Sequence, residues 1–516
     1  MRALPSLSPL VAAAFGVALG STAQAQGTSV TLDSYRRARE VLMRGIEATG
    51  GLDSIRSLQD VTIQMTGARH LRGQSVRADP PYDAPASTGS LVFDVRNGRL
   101  RWEEQGAFSA GFPFHNLIVT DGRQRFTADM RQRAVTPGGN AALAAHQPFL
   151  ERLPHHILVD QLDRLATLRW VGETTVDGAR YNVISAAAPA GPGGPPLIRN
   201  LFFDARTGLL TKLESIGPDA VAGDALQEVV FRDYRRVGPV MIPAQRTQRV
   251  GGEVVMDHRY TDVRVNTRPP DSVFARPAGL TERPQPPNTP RPEAFRQVAP
   301  GIHLLENAAP GYNMLVAELS DHLIVVDAPN NSTVTERAIA TIKRNIPSKP
   351  IRYVVPTHHH GDHAGGMRSF VAEGARIVTT PGNAAFFRRM AATNQRTLNQ
   401  DALSRSPRAP VIETFAGRRV FTDGTRTLEI RDIGPSPHAQ ELLIAYVPDA
   451  GILFQGDLLN AGGDGTSLVA GNQTTEHFAQ WIDQSGLDVR TILGVHSPAR
   501  NRDELRRAVE MMRAGQ

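Results

Sequence analysis

Thr357-His358-His359-His360-Gly361-Asp362-His363 crowds imidazoles and a carboxylate into one short stretch, followed directly by Ala364-Gly365-Gly366. Packing alone gives no reason for so many titratable, hydrogen-bonding side chains side by side. Histidine is the commonest metal ligand, and an aspartate adds a hard oxygen that helps neutralise a divalent cation. Just upstream, Ile351-Arg352-Tyr353-Val354-Val355 reads as a short buried strand stopped by Pro356. The cluster is therefore expected on a loop at a strand end, where functional groups are displayed. In extended chain His358 and His360 share one face and can share one metal, whereas His359 points away and is read as a non-ligand. Gly361 lets the chain turn, so Asp362 and His363 can face a second metal.

The His-x-His-x-Asp-His pattern, flanked by Thr357 and Gly365-Gly366, resembles the metallo-β-lactamase-fold hydrolase superfamily. Later positions fit the same resemblance in the right order. Gly434-Pro435-Ser436-Pro437-His438 matches the third-histidine loop, and Ile452-Leu453-Phe454-Gln455-Gly456-Asp457 is a strand ending in a metal-bridging Asp. Ile492-Leu493-Gly494-Val495-His496 ends in the last metal-binding His, and Leu323-Ile324-Val325-Val326-Asp327 resembles the early strand with its structural Asp. The resemblance implies two zinc ions. His358, His360 and His438 would hold one, Asp362, His363 and His496 the other, and Asp457 would bridge, with a single iron as the alternative cofactor. Asp362 is also the candidate catalytic residue, orienting the nucleophile. Two departures stand out: three residues, two of them prolines, separate Gly434 from His438, and Ser497 follows His496 where glycine is common.

At 516 residues the chain is too long for one ordinary core, and 41% hydrophobic with 21% charged residues is a globular composition. Met1-Arg2, the apolar run Leu10 to Gly20 and Ala23-Gln24-Ala25 read as a signal peptide over residues 1–25, cut after Ala25. The run is too short to span about 30 Å of hydrocarbon, and no later segment offers about twenty consecutive apolar residues. Cysteine is absent, which excludes disulfides, thiolate ligands, a Cys nucleophile and a lipidated cysteine. A periplasmic or secreted bacterial protein is expected. The net charge of +6 rests almost wholly on arginine, since only Lys212, Lys343 and Lys349 are lysines. No basic run is interleaved with aromatics, so nucleic acid is excluded as a partner.

Residues 26–276 read as a mainly antiparallel β domain with a few helices. A helix is predicted over Asp33 to Ala48, capped by Asp33 and stopped by Gly50-Gly51. Turn pairs follow at Asn97-Gly98, Asp121-Gly122, Asp177-Gly178 and Thr207-Gly208, between strands such as Leu91 to Val95, Tyr181 to Ile184 and Leu201 to Asp204. Gly191 to Pro196 reads as a loop. Ala48-Thr49-Gly50-Gly51, Val119-Thr120-Asp121-Gly122, Phe203 to Leu209 and Phe231-Arg232-Asp233-Tyr234 loosely resemble the bacterial lipoprotein-carrier fold. That likeness implies a curved sheet around an apolar cavity and a lipid or hydrophobic ligand. Six prolines mark residues 277–297 as a semi-rigid linker. Residues 298–516 then alternate strands and helices, including helices over Val334 to Arg344 and Arg502 to Arg513, as the αββα sandwich of the resemblance requires.

The function expected is an exported zinc-dependent hydrolase that uses a metal-activated hydroxide to cleave an ester, lactone, lactam or thioester in a small molecule. The alternative is a periplasmic lipid- or partner-binding protein whose hydrolase-fold domain is a metal-stabilised scaffold. Outside the cluster, His155-His156 is read as a helix start or surface pair, and His303, His322 and His477 as structural or solvated. Asn313 is placed on a loop that borders the site or forms an ordinary turn.

Overall fold

The computed structural model describes residues 29–138, 147–188, 197–283, 292–392, 396–462 and 465–515. The signal-peptide stretch 1–25 and the Gly191 to Pro196 loop lie outside the described residues. In the N-terminal half, one antiparallel meander starts at the strand Asp60–Arg69 and runs outward to Ala134–Pro137. A second meander starts at the opposite edge, Arg169–Val176, and works back to Glu253–Val265, which pairs with Asp60–Arg69. The two meanders thus fuse in mid-sheet into fourteen strands, counting the short parallel edge strand Thr281–Glu282. All four turn pairs read from the sequence fall between neighbouring antiparallel strands.

The helix Val30–Thr49 packs its apolar stripe, Ala38, Leu42 and Ile46, into a core with Phe93, Phe203, Phe231 and Tyr260 from the sheet. Its cap is Ser29, whose side chain accepts from Leu32 N, and Asp33 sits in the first turn; the prediction of Asp33 as the cap is corrected. Three residues of helix precede Asp33 because Val30 and Leu32 are compatible with helix, and an acidic side chain in the first turn still suits the dipole. Gly50, at φ 131°, ends the helix as expected. His155 begins the helix Pro154–Asp160 but is buried, not on the surface, because that helix fits between the sheet and the first helix.

The C-terminal half is a four-layer αββα sandwich. One seven-stranded sheet is ordered Ala294–Ala299, Ile302–Ala309, Tyr312–Glu318, Leu323–Val326, Ile351–Val355, Arg376–Thr379 and Ile412–Thr414. A six-stranded sheet runs in sequence order from Arg418–Thr422 to Ser497–Arg500. Leu304, Leu315, Ile324, Val326, Val355, Leu428, Ile430 and Phe454 fill the space between the sheets. Helices Ser332–Asn345, Met367–Glu373 and Pro381–Ala392 cover the outer face of the first sheet, and Gln473–Ser485 with Arg502–Ala514 cover the second. Burial on both faces explains why Leu323 to Val326 reads as a continuous apolar run.

The stretch 277–297 is corrected: it holds the end strand Thr281–Glu282 of the first domain's sheet and, from Ala294, the first strand of the second domain. Both lie at sheet edges, where a proline-rich neighbourhood does not interrupt interior pairing. The side chain of Leu428 is fully buried between the two sheets. Leu428→Ala is predicted to cost about 2–5 kcal/mol of stability, read by denaturant unfolding of the full chain.

Candidate metal centre

The strand Leu323–Val326 ends in Asp327, held in the left-handed region at φ 72°, with its carboxylate fully buried. That strained turn aims the carboxylate at the head of the next strand's loop. Oδ1 accepts from Thr357 N at 2.6 Å, and Oδ2 accepts from Thr357 Oγ1 at 3.1 Å and from His363 Nδ1 at 2.7 Å. With Nδ1 committed to Asp327, Nε2 is the nitrogen of His363 turned inward. His496 repeats the device: Nδ1 lies 3.1 Å from the Gly311 carbonyl, so Nε2 faces the cluster. In His360 the roles are reversed, with Nε2 donating to the Ser75 carbonyl at 2.9 Å and Nδ1 buried without a hydrogen-bond partner.

These rings converge. His358 Nε2 and His438 Nε2 stand 3.1 Å apart, and His363 Nε2 and His496 Nε2 stand 3.2 Å apart. Asp457 lies among them, with Oδ2 3.2 Å from both His363 and His438 Nε2, and Oδ1 3.2 Å from His496 Nε2. Asp362 Oδ2 is 3.6 Å from His363 Nε2 and 3.8 Å from His496 Nε2. Two ligand groups result, one of His358, His360, His438 and Asp457 and one of Asp362, His363, Asp457 and His496, each with its donor atoms within 4.8 Å of one another. All seven residues singled out from the sequence are brought together, and Asp457 is common to both groups.

Local sequence explains each placement. His438 rides a turn in which Ser436 Oγ accepts from the backbone of His438 and Ala439, and from that turn its ring reaches His358. Asp457 follows Gly456, where an added Cβ would stand 2.8 Å from Thr357 Oγ1; only glycine lets this strand end approach the histidine loop so closely. Buried Gln455 braces the same corner, accepting from Leu458 N and donating to Leu459 O. His359 turns away, as expected, and packs edge-on against Phe386. Asn313 is corrected: it lies in a strand, and its amide donates to Gly494 O and Ser497 O, pinning the strand that delivers His496.

The electrostatics suit a cation. Burial and the neighbouring imidazoles hold His358 and His360 well below the usual histidine range, so both stay neutral, the ligand form. Burial opposes ionisation of Asp457, but His363 and His496 outweigh it and keep the carboxylate far below its ordinary range. His363 goes the other way: burial would lower it, yet Asp457 and Asp327 raise it well above 6.5. Unpartnered His360 Nδ1, inward-facing Nε2 atoms and two carboxylates form a donor set that fits divalent cations.

Three participants had no signal in the sequence. Tyr312 donates to Asp362 Oδ2 at 3.4 Å and lies edge-on to His496 at 4.3 Å between ring centroids. Gln74 and Ser75 reach the site from the N-terminal domain. Nothing in the local pattern around any of the three distinguishes it from other loop or strand residues.

The model of the metallo-beta-lactamase superfamily matches residues 310–496, a span that begins just before Tyr312 and ends on His496. The C-terminal domain is a metallo-beta-lactamase-superfamily domain. Among curated proteins, the Saccharomyces cerevisiae alkyl/aryl-sulfatase BDS1 is 30% identical over 105 residues, 18% of this chain and only 16% of that protein's length. Among solved structures, a metallo-beta-lactamase from Pontibacter korlensis is 20% identical with a TM-score of 0.34, covering 43% of this chain and 99% of its own. The metallo-beta-lactamase FIM-1 from Pseudomonas aeruginosa, in a mono-zinc form, is 22% identical with a TM-score of 0.33, covering 44% and 97%.

In the metal-free chain the raised pKa of His363 keeps its ring protonated at neutral pH, and a cation can use Nε2 only after that proton leaves. Calorimetric titration of the metal-free protein with zinc, in buffers of differing ionisation heat near pH 7, is predicted to show net proton release. The apparent affinity should rise with pH up to the folded pKa of His363. Proton uptake, or a pH-independent affinity, would contradict the assignment.

Proposed function

We propose that this chain is a zinc-dependent metallo-hydrolase acting on a small molecule with an ester, lactone, lactam or thioester bond. The observation that carries the reading is the pair of donor groups meeting at Asp457. His358, His360 and His438 would hold one zinc ion and Asp362, His363 and His496 the other, with Asp457 facing both. Zinc suits imidazole and carboxylate donors and needs no redox partner. A cation held there would supply Lewis-acid chemistry, polarising a substrate oxygen and lowering the pKa of water to about 7.

The chain's own groups set the rest. Asp327, the Gly311 carbonyl and the Ser75 carbonyl take the outward N–H of His363, His496 and His360, which fixes each ring's orientation. Asp362 keeps a partly exposed carboxylate at the rim, placed beside His363 and His496 to orient an attacking water. Burial and the Asp362 and Asp457 carboxylates push the Tyr312 phenol up, so it remains a donor to Asp362 Oδ2 at working pH. His358 and His360 form a floor closed to water, while His438, His496 and Asp362 leave the opposite side open to substrate.

A second substrate class, sulfate esters, is favoured by the likeness to the yeast alkyl/aryl-sulfatase over part of this chain. Export is read from Leu10 to Gly20 and Ala23-Gln24-Ala25, and a mature chain beginning at Gln26 is the expected product. N-terminal sequencing of protein recovered from the cell envelope checks this, and an intact Met1 there would contradict it.

The direct test loads the full chain with zinc and screens β-lactam, lactone, carboxylic ester, thioester, phosphodiester and sulfate ester substrates. Asp362→Ala is predicted to lower turnover by about 10²-fold or more with the fold retained. Turnover by neither protein, with a change in thermal stability alone, would favour the metal-stabilised scaffold that binds a lipid or partner.

A further inference from the structure

The connection between the N-terminal strands Asp60–Arg69 and Ala86–Asp94 lies against the metal centre of the other domain. It is stiffened internally: Leu71 N donates to Asp83 O, Val76 N to Asp83 Oδ2, and Asp83 N to Ser75 Oγ, at 2.7–2.8 Å. Arg72 anchors it to the sheet through ion pairs with Asp219 and Glu253. Four hydrogen bonds then cross to the metal centre. Gly361 N donates to Gly73 O at 3.0 Å and Gln440 N to Val76 O at 2.7 Å, gripping the histidine loop and the chain just past His438. Gln74 Nε2 donates to Asp362 Oδ1 at 2.7 Å, and the buried Ser75 carbonyl accepts from His360 Nε2 at 2.9 Å.

Each of the last two contacts removes a choice. A neutral imidazole carries one proton; with Nε2–H committed to Ser75, Nδ1 is the only nitrogen of His360 that can ligate. With Oδ1 of Asp362 occupied by an amide donor, Oδ2 is the oxygen left facing His363, His496 and Tyr312. We infer that residues 73–76 of the N-terminal domain are part of the metal centre, and that Gln74 is a positioning residue selecting the ligand oxygen of Asp362. The N-terminal domain thereby has a role in the chemistry independent of any ligand of its own. The inference rests on the metal-centre reading above.

The test compares full-length wild type, Gln74→Met, Gln74→Glu and Arg77→Ala by zinc competition against a chromogenic chelator, with thermal unfolding of each metal-free protein. Gln74→Met keeps the volume and loses the donor; Gln74→Glu also loses the donor and sets a second carboxylate beside Asp362. Both are predicted to weaken the zinc site that includes Asp362 by about 10–100-fold. Metal-free unfolding should be unchanged, and Arg77→Ala, an exposed residue of the same connection, should bind as wild type does. Wild-type affinity in Gln74→Met, with or without a lower metal-free unfolding temperature, would overturn the inference alone. A wild-type chain that takes up no zinc would overturn the metal-centre reading and the inference with it.

Discussion

A carboxylate set among imidazole nitrogens must be balanced by positive charge, and Asp457, 3.2 Å from Nε2 of His363, His438 and His496, is in that position. Ionised carboxylates are costly to bury unless compensated. In the bare chain His363 supplies the compensation by keeping a proton, held there by Asp457 on one side and Asp327 on the other. A cation in either donor group does the same with a larger charge, and releases the ring to act as a ligand. The αββα sandwich exists around this constraint. Its strands end in Asp327, in the histidine loop, in Asp457 and in His496, so four strand ends from two sheets deliver their side chains to one point.

Much of that was legible in the sequence because it is carried by local pattern. The histidine loop announces itself within seven residues; Asp457 and His496 each follow a short apolar run recognisable as a buried strand, and His438 is marked by its Gly-Pro-Ser-Pro loop. Asp327 could be placed for the same reason. Helix and turn positions were legible where glycine or an Asn-Gly or Asp-Gly pair fixes the backbone, as at Gly50 and Asn97-Gly98.

What escaped depends on contacts between distant residues. Gln74 and Ser75 lie 288 and 285 positions from their partners, and no local spacing encodes the docking of one domain on the other. Tyr312 looks like any strand tyrosine until its hydroxyl meets Asp362. Asn313 shows the converse error: a polar residue near the site whose amide ties neighbouring strands together through Asn307, Gly494 and Ser497. The linker misreading has a similar origin, since whether Ala294 to Ala299 is coil or strand is decided by the partner strand Ile302–Ala309. Cap assignment failed by one turn because Ser29 and Asp33 are both competent caps and the helix starts at the earlier one.

The docking also changes how the two halves relate. Besides the four bonds into the metal centre, Arg389 pairs with Asp79, Arg396 donates to the carbonyls of Asp219 and Ala220, and Thr397 donates to Asp224. A centre whose ligand atoms are selected by the neighbouring domain is sensitive to that whole interface. The central claim is that seven side chains build two cation sites sharing Asp457. Anomalous diffraction from crystals grown with zinc tests it most directly. Two peaks, one within His358, His360 and His438 and one within Asp362, His363 and His496, each in contact with Asp457, are the predicted result; a chain without a peak in either group would contradict it.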